Sequence, residues 1–383
     1  MALMTLDRTN FPAFSLRLFL SVDIVGSTAY KQSSPTQTPD KPGQAWLRLF
    51  TDFYSALEEN LVKAWNDNKA SFSIPLIDKL GEPPKVWKAR GDEIIFQCSL
   101  LNVEQITYAV YCLIIAIDNH RAEIKKQGKP VDLKATAWLA GFPKNNAEIV
   151  LGMSLDRLKV SGLIVENDDY FFIHQCRLYL HMNEPRAGEM LDFIGPQMDI
   201  GFRLAALSSS RYFIMSIDLV FLIIRSIDGG TWPTFFSRRF TGHFRYLGAE
   251  ELKGVLSGVP YPIIGLSAQP DKNIFKVEDE MLNYTPLDTT KLMSYIEQFF
   301  GHSRFETGNA WVNLPFIADC DKIPDEYKRE LNLQRVQFWK TYDARHELED
   351  TSLDTSETSE NKTEVSAIEE IINLKLDPPS NAR

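Results

Sequence analysis

The sequence predicts an α+β fold: a mixed sheet of the split βαβ type with helices on one face, followed by a small C-terminal extension. Three observations predict it. Short runs of strand character at 14–22, 93–97 and 131–139 are separated by two long amphipathic stretches, 44–65 and 99–126. A Gly91-Asp92 pair joins two strand-like runs as a hairpin. Beyond about residue 270 the pattern gives way to isolated helical stretches and then to an acidic segment poor in apolar residues.

Residues 14–22 alternate as a strand ending at Asp23, and Gly26-Ser27-Thr28 begins a turn. Pro35, Pro39 and Pro42 make 33–43 a loop. Trp46, Leu47, Phe50, Phe53, Tyr54, Leu57 and Leu61 recur at helical spacing, so 44–65 is a helix whose aromatic set packs on the sheet rather than on a base. Lys85–Lys88 and Glu93–Gln97 flank the hairpin tip, and the second long helix is stopped by Gly128 and Pro130. Residues 131–139 form another strand, and 152–185 mixes a helix with a strand at Tyr170–His174. Gly195-Pro196 precedes a helix over 199–208. Then come a strand at 211–217, a helix or second strand at 219–226, and closing strands within 240–255 and at 261–266. Helices at Asp288–Phe300 and Asp325–Tyr342 form an appended unit. The expected organisation is one domain over 14–270, an extension over 271–345, and a largely disordered acidic tail over 346–383 with a short amphipathic helix at 365–376.

The formal charge is −10, but residues 343–383 hold 11 acidic and 4 basic side chains, so the remainder is close to neutral. That balance excludes a general nucleic-acid binder, which needs a basic surface to displace counterions. The longest uncharged apolar stretch, 108–117, is too short to cross a bilayer, and Asp218 interrupts the run 212–224. No membrane span is expected. The first residues lack the basic, apolar and small-residue order of a signal peptide, so a cytoplasmic location is expected. Cys98, Cys112, Cys176 and Cys320 form no CxxC and read as buried reduced thiols. His174 and His181 are seven apart with no third ligand nearby, which does not make a zinc site.

Four blocks carry chemistry. Asp23-Ile24-Val25-Gly26-Ser27-Thr28 and Lys88-Ala89-Arg90-Gly91-Asp92 each set an aspartate beside a glycine at the end of a strand. The third runs from Asp192-Phe193-Ile194-Gly195-Pro196 to Asp199-Ile200-Gly201-Phe202-Arg203-Leu204, with Asp199 and Arg203 four apart on one helix face. The fourth is Leu252-Lys253-Gly254-Val255 followed by the strand 261–266. In this order, across 14–270, they resemble the class III nucleotidyl cyclases. The resemblance implies the class III cyclase fold and conversion of a nucleoside triphosphate to a 3',5'-cyclic nucleotide, by in-line attack of the ribose 3'-oxygen on the α-phosphorus with pyrophosphate leaving. It implies that Asp23, the backbone carbonyl of Ile24 and Asp92 hold two divalent cations, Mg2+ or Mn2+, and leaves the Ile24 side chain free to vary. It further implies that Arg203 stabilises charge on the α-phosphate, that Lys253 contacts the terminal phosphates, and that Lys88 and Asp192 recognise the base. Asp199 departs from the family pattern, which has an asparagine orienting the ribose; an ionised aspartate accepts but does not donate. The metal set and the base and transition-state set come from different subunits in this family, which implies a homodimer with two shared sites.

Asp192 as an acceptor suits the exocyclic amine of adenine or cytosine, which ranks ATP and CTP above UTP. Other features are similar to the bacterial Pycsar pyrimidine cyclases: a catalytic domain beginning near the N-terminus, metal aspartates 69 positions apart, the Asp199 substitution and the extension after 270. Those enzymes make cyclic UMP or cyclic CMP as an antiphage signal read by a separate effector protein, and the uridylate product is the one favoured here. Two alternatives stand beside this expectation: an adenylate cyclase, and an inactive cyclase-like module that binds nucleotide and signals through its C-terminal unit.

Overall fold

The computed structural model describes residues 6–8, 11, 15–33, 45–143, 146–307 and 325–354. In chain order these form β1 (Ser15–Val25), α1 (Ser27–Ser33), α2 (Ala45–Lys69), α3 (Ile74–Ile77), β2 (Lys85–Arg90), β3 (Glu93–Ser99), α4 (Val103–Lys126), β4 (Asp132–Phe142), β5 (Ala147–Leu151), α5 (Leu155–Val160), α6 (Tyr170–Asn183) and β6 (Met190–Ile194). There follow α7 (Pro196–Ala205), β7 (Tyr212–Met215), α8 (Ile217–Asp228), α9 (Thr234–Ser237), β8 (Phe244–Glu250), β9 (Tyr261–Ser267), α10 (Asn273–Met281), α11 (Thr289–Thr307) and α12 (Asp325–Asp354).

Seven strands make one sheet in the order β2-β3-β1-β4-β7-β9-β8, and β5 pairs with β6 in a separate ribbon. β1 and β2 are both antiparallel to β3, so the β1-α2-β2 crossover joins parallel strands with β3 inserted between them. The β3-α4-β4 crossover has β1 inserted in the same way. This is the expected split βαβ arrangement, and the parallel β4–β7 pair makes the sheet mixed.

β1 organises the core because both of its faces are buried. Leu16, Leu18, Leu20, Val22 and Ile24 face α2 and α4, where Phe53, Leu57, Leu61, Ile106, Val110 and Leu113 close over them. Each such side chain contributes roughly 1.5–3 kcal/mol on removal from water. Asn102 accepts from the Gln105 backbone N–H and fixes the start of α4 at Val103, four residues past the end of β3. The other face of β1 carries Phe19, which stacks on Trp138 of β4 with centroids 5.4 Å apart and meets Phe193 edge-on.

Helices therefore cover both faces of the sheet, not one, since a buried Phe19 and Trp138 need a cover. α7 supplies it through Met198, Phe202 and Gly201. A Cβ on Gly201 would lie 2.2 Å from the Trp138 ring, so the helix approaches the sheet closely only because that residue is glycine. Gly201→Ala is expected to lower stability by about 2–3 kcal/mol in urea unfolding, because the overlap is with a fully buried ring.

α8 resolves the open choice at 219–226 in favour of a helix; it is buried almost throughout and starts beside the carboxyl of Asp218. Burial raises that carboxyl from the ordinary 3.8 to about 6, against the opposing donors Ser216 Oγ and the Leu219 N–H. The folded state binds this proton more tightly than the unfolded chain. Stability from this group therefore falls as pH rises from about 4 to about 6 and stays low above that. Asp218→Asn is expected to exceed the parent by up to roughly 3 kcal/mol at pH 7.5. The gap should narrow steadily as urea unfolding is repeated towards pH 4.

Residues 170–174 are helical, not a strand. Asp169 caps α6 by accepting from the Phe172 N–H, and Phe172, Cys176, Tyr179 and Leu180 fall on one helix face. That face, with Leu158, Leu163 and Leu6, packs on Phe338, Trp339 and Tyr342 of α12 in a second, smaller core. The expected helices of the extension form but do not pack as one unit. Leu292, Ile296, Phe299 and Phe300 of α11 join the main core, whereas α12 joins the small one. α12 also continues to Asp354, so 346–354, expected within the disordered tail, is helical. The rest of that tail, its expected helix at 365–376, Cys320 and most of the proline-rich loop lie outside the described residues. Cys98, Cys112 and Cys176 are buried free thiols, and burial pushes Cys98 up to about 12. Among the described residues no helix is long and apolar enough to cross a membrane.

Candidate active site

The end of β1 and the tip of the β2–β3 hairpin are stitched together. The Ile24 N–H donates to the Asp92 carbonyl at 3.2 Å, Tyr54 of α2 donates through its hydroxyl to the Gly91 carbonyl, and Ser27 at the start of α1 donates to Asp92 Oδ2. Gly91 turns the hairpin with φ 68°, a left-handed conformation that glycine adopts without strain. Asp23 and Asp92, named by sequence as a pair, thus sit at one edge of the sheet. Ile24 lies between them in the main core at 3% exposure, so packing restricts its side chain, contrary to the expectation that it varies freely.

Register adds what spacing does not show. Asp23 stands directly opposite Glu93 on β3 and Lys134 on β4, a charged row across three strands. Lys134 Nζ is 3.1 Å from Asp23 Oδ2, while Asp23 Oδ1 is buried with no hydrogen-bond partner. Burial holds the Asp23 carboxyl above the usual carboxylate range; Lys134 opposes this and the neighbouring charges of Asp92 and Glu93 add to it. A buried acceptor without a donor, beside a second carboxylate, is a donor set that suits a divalent oxygen-loving cation.

A second group lies on β2 and β6. Lys88 Nζ is 2.7 Å from Asp192 Oδ1 and 3.9 Å from the centre of the Trp87 ring. Trp87 Nε1 donates to the Leu191 carbonyl at 3.1 Å, and its ring packs edge-on against Phe19 and Phe193. The aromatic layer on this face of the sheet fixes the strands that carry the pair, and both side chains remain partly open to solvent.

α7 carries the third group. Asp199 and Arg203 are exposed on it, and Arg203 Nε donates to the carbonyl of Lys253 at 3.2 Å. Lys253 belongs to a loop between β8 and β9 in which Leu256 (φ 55°) and Ser257 (φ 53°) hold left-handed conformations, uncommon for side-chain-bearing residues. The Arg203 fork thus has one nitrogen on that loop. Among the described residues, no hydrogen bond or ion pair joins the aspartate edge, the Lys88–Asp192 pair and the Arg203–Lys253 group to one another.

Lys134, Glu93, Ser27, Tyr54 and Trp87 were not singled out by sequence. Trp87 and Ser27 lie inside or beside the quoted motifs and were within reach of it; Lys134 and Glu93 acquire their place only through strand register.

No protein-family model and no curated protein matches this sequence. Solved structures similar to it include the adenylyl cyclase CyaB from P. aeruginosa, with 14% identity over 66% of this chain and 94% of that one and a TM-score of 0.37. The guanylate cyclase domain of RhGC from Catenaria anguillulae, in complex with GTP, matches with 12% identity over 67% and 99% of the two chains and a TM-score of 0.36. A bacterial light-regulated adenylyl cyclase matches with 11% identity over 75% and 99% and a TM-score of 0.38.

Proposed function

We propose that this chain is a class III nucleotidyl cyclase that converts UTP, or CTP, to the 3',5'-cyclic monophosphate and pyrophosphate. Its product would serve as an antiphage signal of the Pycsar kind, read by a separate effector. The observation that carries the reading is the pairing of Asp23 and Asp92 at one sheet edge, with a buried Asp23 oxygen left without a donor. Asp23, Asp92 and the Ile24 carbonyl would hold divalent Mg2+ or Mn2+, which when bound would acidify the ribose 3'-hydroxyl and neutralise the leaving phosphates.

The chain's own residues do the rest. Arg203 turns its guanidinium to the α-phosphate oxygens, where negative charge builds during in-line attack, and Lys253 meets the terminal phosphates. The 3'-oxygen forms its bond to the α-phosphorus as the bond to pyrophosphate breaks, and the 3'-proton passes to solvent. Asp199 accepts from a ribose hydroxyl. Lys88 and Asp192 read the base. Each chain carries all three groups, and among the described residues no hydrogen bond or ion pair joins them, which supports a homodimer in which the hairpin edge of one subunit faces α7 of the other.

One observation favours a second reading. Asp192 bonded to the Lys88 ammonium presents a carboxylate acceptor, which suits the amine of cytosine or adenine better than a uracil carbonyl. Incubation of the purified chain with Mn2+ and each of the four triphosphates, with products resolved by mass, tests all of this. Cyclic UMP or cyclic CMP is expected. Cyclic AMP as the main product would replace the pyrimidine reading, and tight nucleotide binding without pyrophosphate release would replace the enzyme with a binding module.

A further inference from the structure

Lys134 is paired with one oxygen of the aspartate assigned to the cation. Its backbone is fixed in β4, between Leu133 and Ala135 of the main core, and its side chain points to the opposite face, directly across from Asp23. Its ammonium is 3.1 Å from Asp23 Oδ2, and both side chains are about one quarter exposed, so Nζ can leave towards solvent by torsion of its own stem. On the other side of Asp23 stands Glu93, whose carboxylate is held by the Ser21 hydroxyl, and the neighbouring hairpin tip brings Asp92 held by Ser27. Asp23 is thus paired with one ammonium and feels the charges of two further carboxylates, Asp92 and Glu93.

We propose that Lys134 is a built-in monovalent cation of this edge: it occupies Asp23 until a divalent ion displaces it, and so sets the cation concentration at which the site loads. This rests on the reading of Asp23 and Asp92 as cation ligands. The ammonium offsets the repulsion that would otherwise spread β1, β3 and the hairpin tip apart. The same charge, 3.1 Å from an Asp23 oxygen, would oppose entry of a divalent ion unless it swings away. The edge is preassembled, at the expense of weaker loading.

The test is Mn2+ binding to the full chain without nucleotide, read from the electron paramagnetic resonance of free Mn2+. Lys134→Met keeps the stem and removes the charge; it is expected to bind Mn2+ at least about tenfold more tightly than the parent. Lys134→Gln is expected to shift the same way, and Lys134→Arg to stay within about threefold of the parent. Thermal unfolding identifies variants that fold. Equal or weaker binding by Lys134→Met and Lys134→Gln, with Asp23→Asn still abolishing binding, overturns the role of Lys134 and leaves the cation site standing. If Mn2+ binding is absent throughout, or is indifferent to Asp23→Asn, the cation-site reading itself fails and this role fails with it.

Discussion

Asp23→Asn should lower nucleotide turnover by at least about a thousandfold while leaving the chain no less stable at neutral pH. The substitution keeps shape and one acceptor oxygen but removes the charge that a divalent ion needs. The stability half follows from the sign of the shift. Burial, with Asp92 and Glu93 adding to it against Lys134, holds the folded carboxyl above its unfolded value. The folded state therefore prefers the protonated form, and ionisation of Asp23 weakens the fold once pH rises past the ordinary carboxylate range and through the raised value. The neutral amide avoids that loss. Urea unfolding of parent and variant at pH 7.5 should show the variant equal or better, with the difference fading towards pH 4. By the same sign, Mn2+ binding to the parent should weaken on acidification before an ordinary carboxylate would protonate. Turnover that survives the substitution, or a folded state clearly weakened by it, would make Asp23 a structural strut instead of a ligand. Asp92→Ala is expected to lose activity to the same degree, and its stability reports the Ser27 hydrogen bond as well.

Mixing an inactive Asp92→Ala chain with an inactive Arg203→Ala chain should restore activity to about a quarter of the parent level. With random exchange, half of the dimers pair the two variants, and each such dimer has one shared site with both halves intact and one with both damaged. The structure motivates the experiment because Asp92 and Arg203 have separate partners among the described residues: Asp92 is bonded to Ser27, and Arg203 to the Lys253 carbonyl. Arg203→Ala alone should act mainly on kcat, by about a hundredfold or more, with little change in KM, since the guanidinium is assigned to charge that appears in the transition state. Differently tagged chains verify exchange. If exchange occurs and activity stays absent, each site is completed within one chain and the shared-site dimer is wrong.

Local features were legible in the chain itself. The aromatic and leucine spacing that gives α2, the alternation that gives β1, and the glycine that turns the hairpin before Asp92 are all short-range patterns, and each element stands where spacing placed it within a few residues. Less legible were segments where short-range pattern is ambiguous. Tyr170–His174 reads as a strand from its aromatic run, and only Asp169 as a cap and α12 as a packing partner decide that it is helical.

The sequence alone picked out Asp23, Asp92, Lys88, Asp192 and Arg203 as candidates, because the short ordered motifs that carry the resemblance are properties of neighbours along the chain. Only the tertiary structure decided who faces whom. Lys88 meets Asp192 from 104 positions away, Arg203 reaches the Lys253 carbonyl across 50, and Lys134 comes to Asp23 through the register of β1 on β4. A one-residue slip in that register would turn Lys134 into the core and leave Asp23 without its cation.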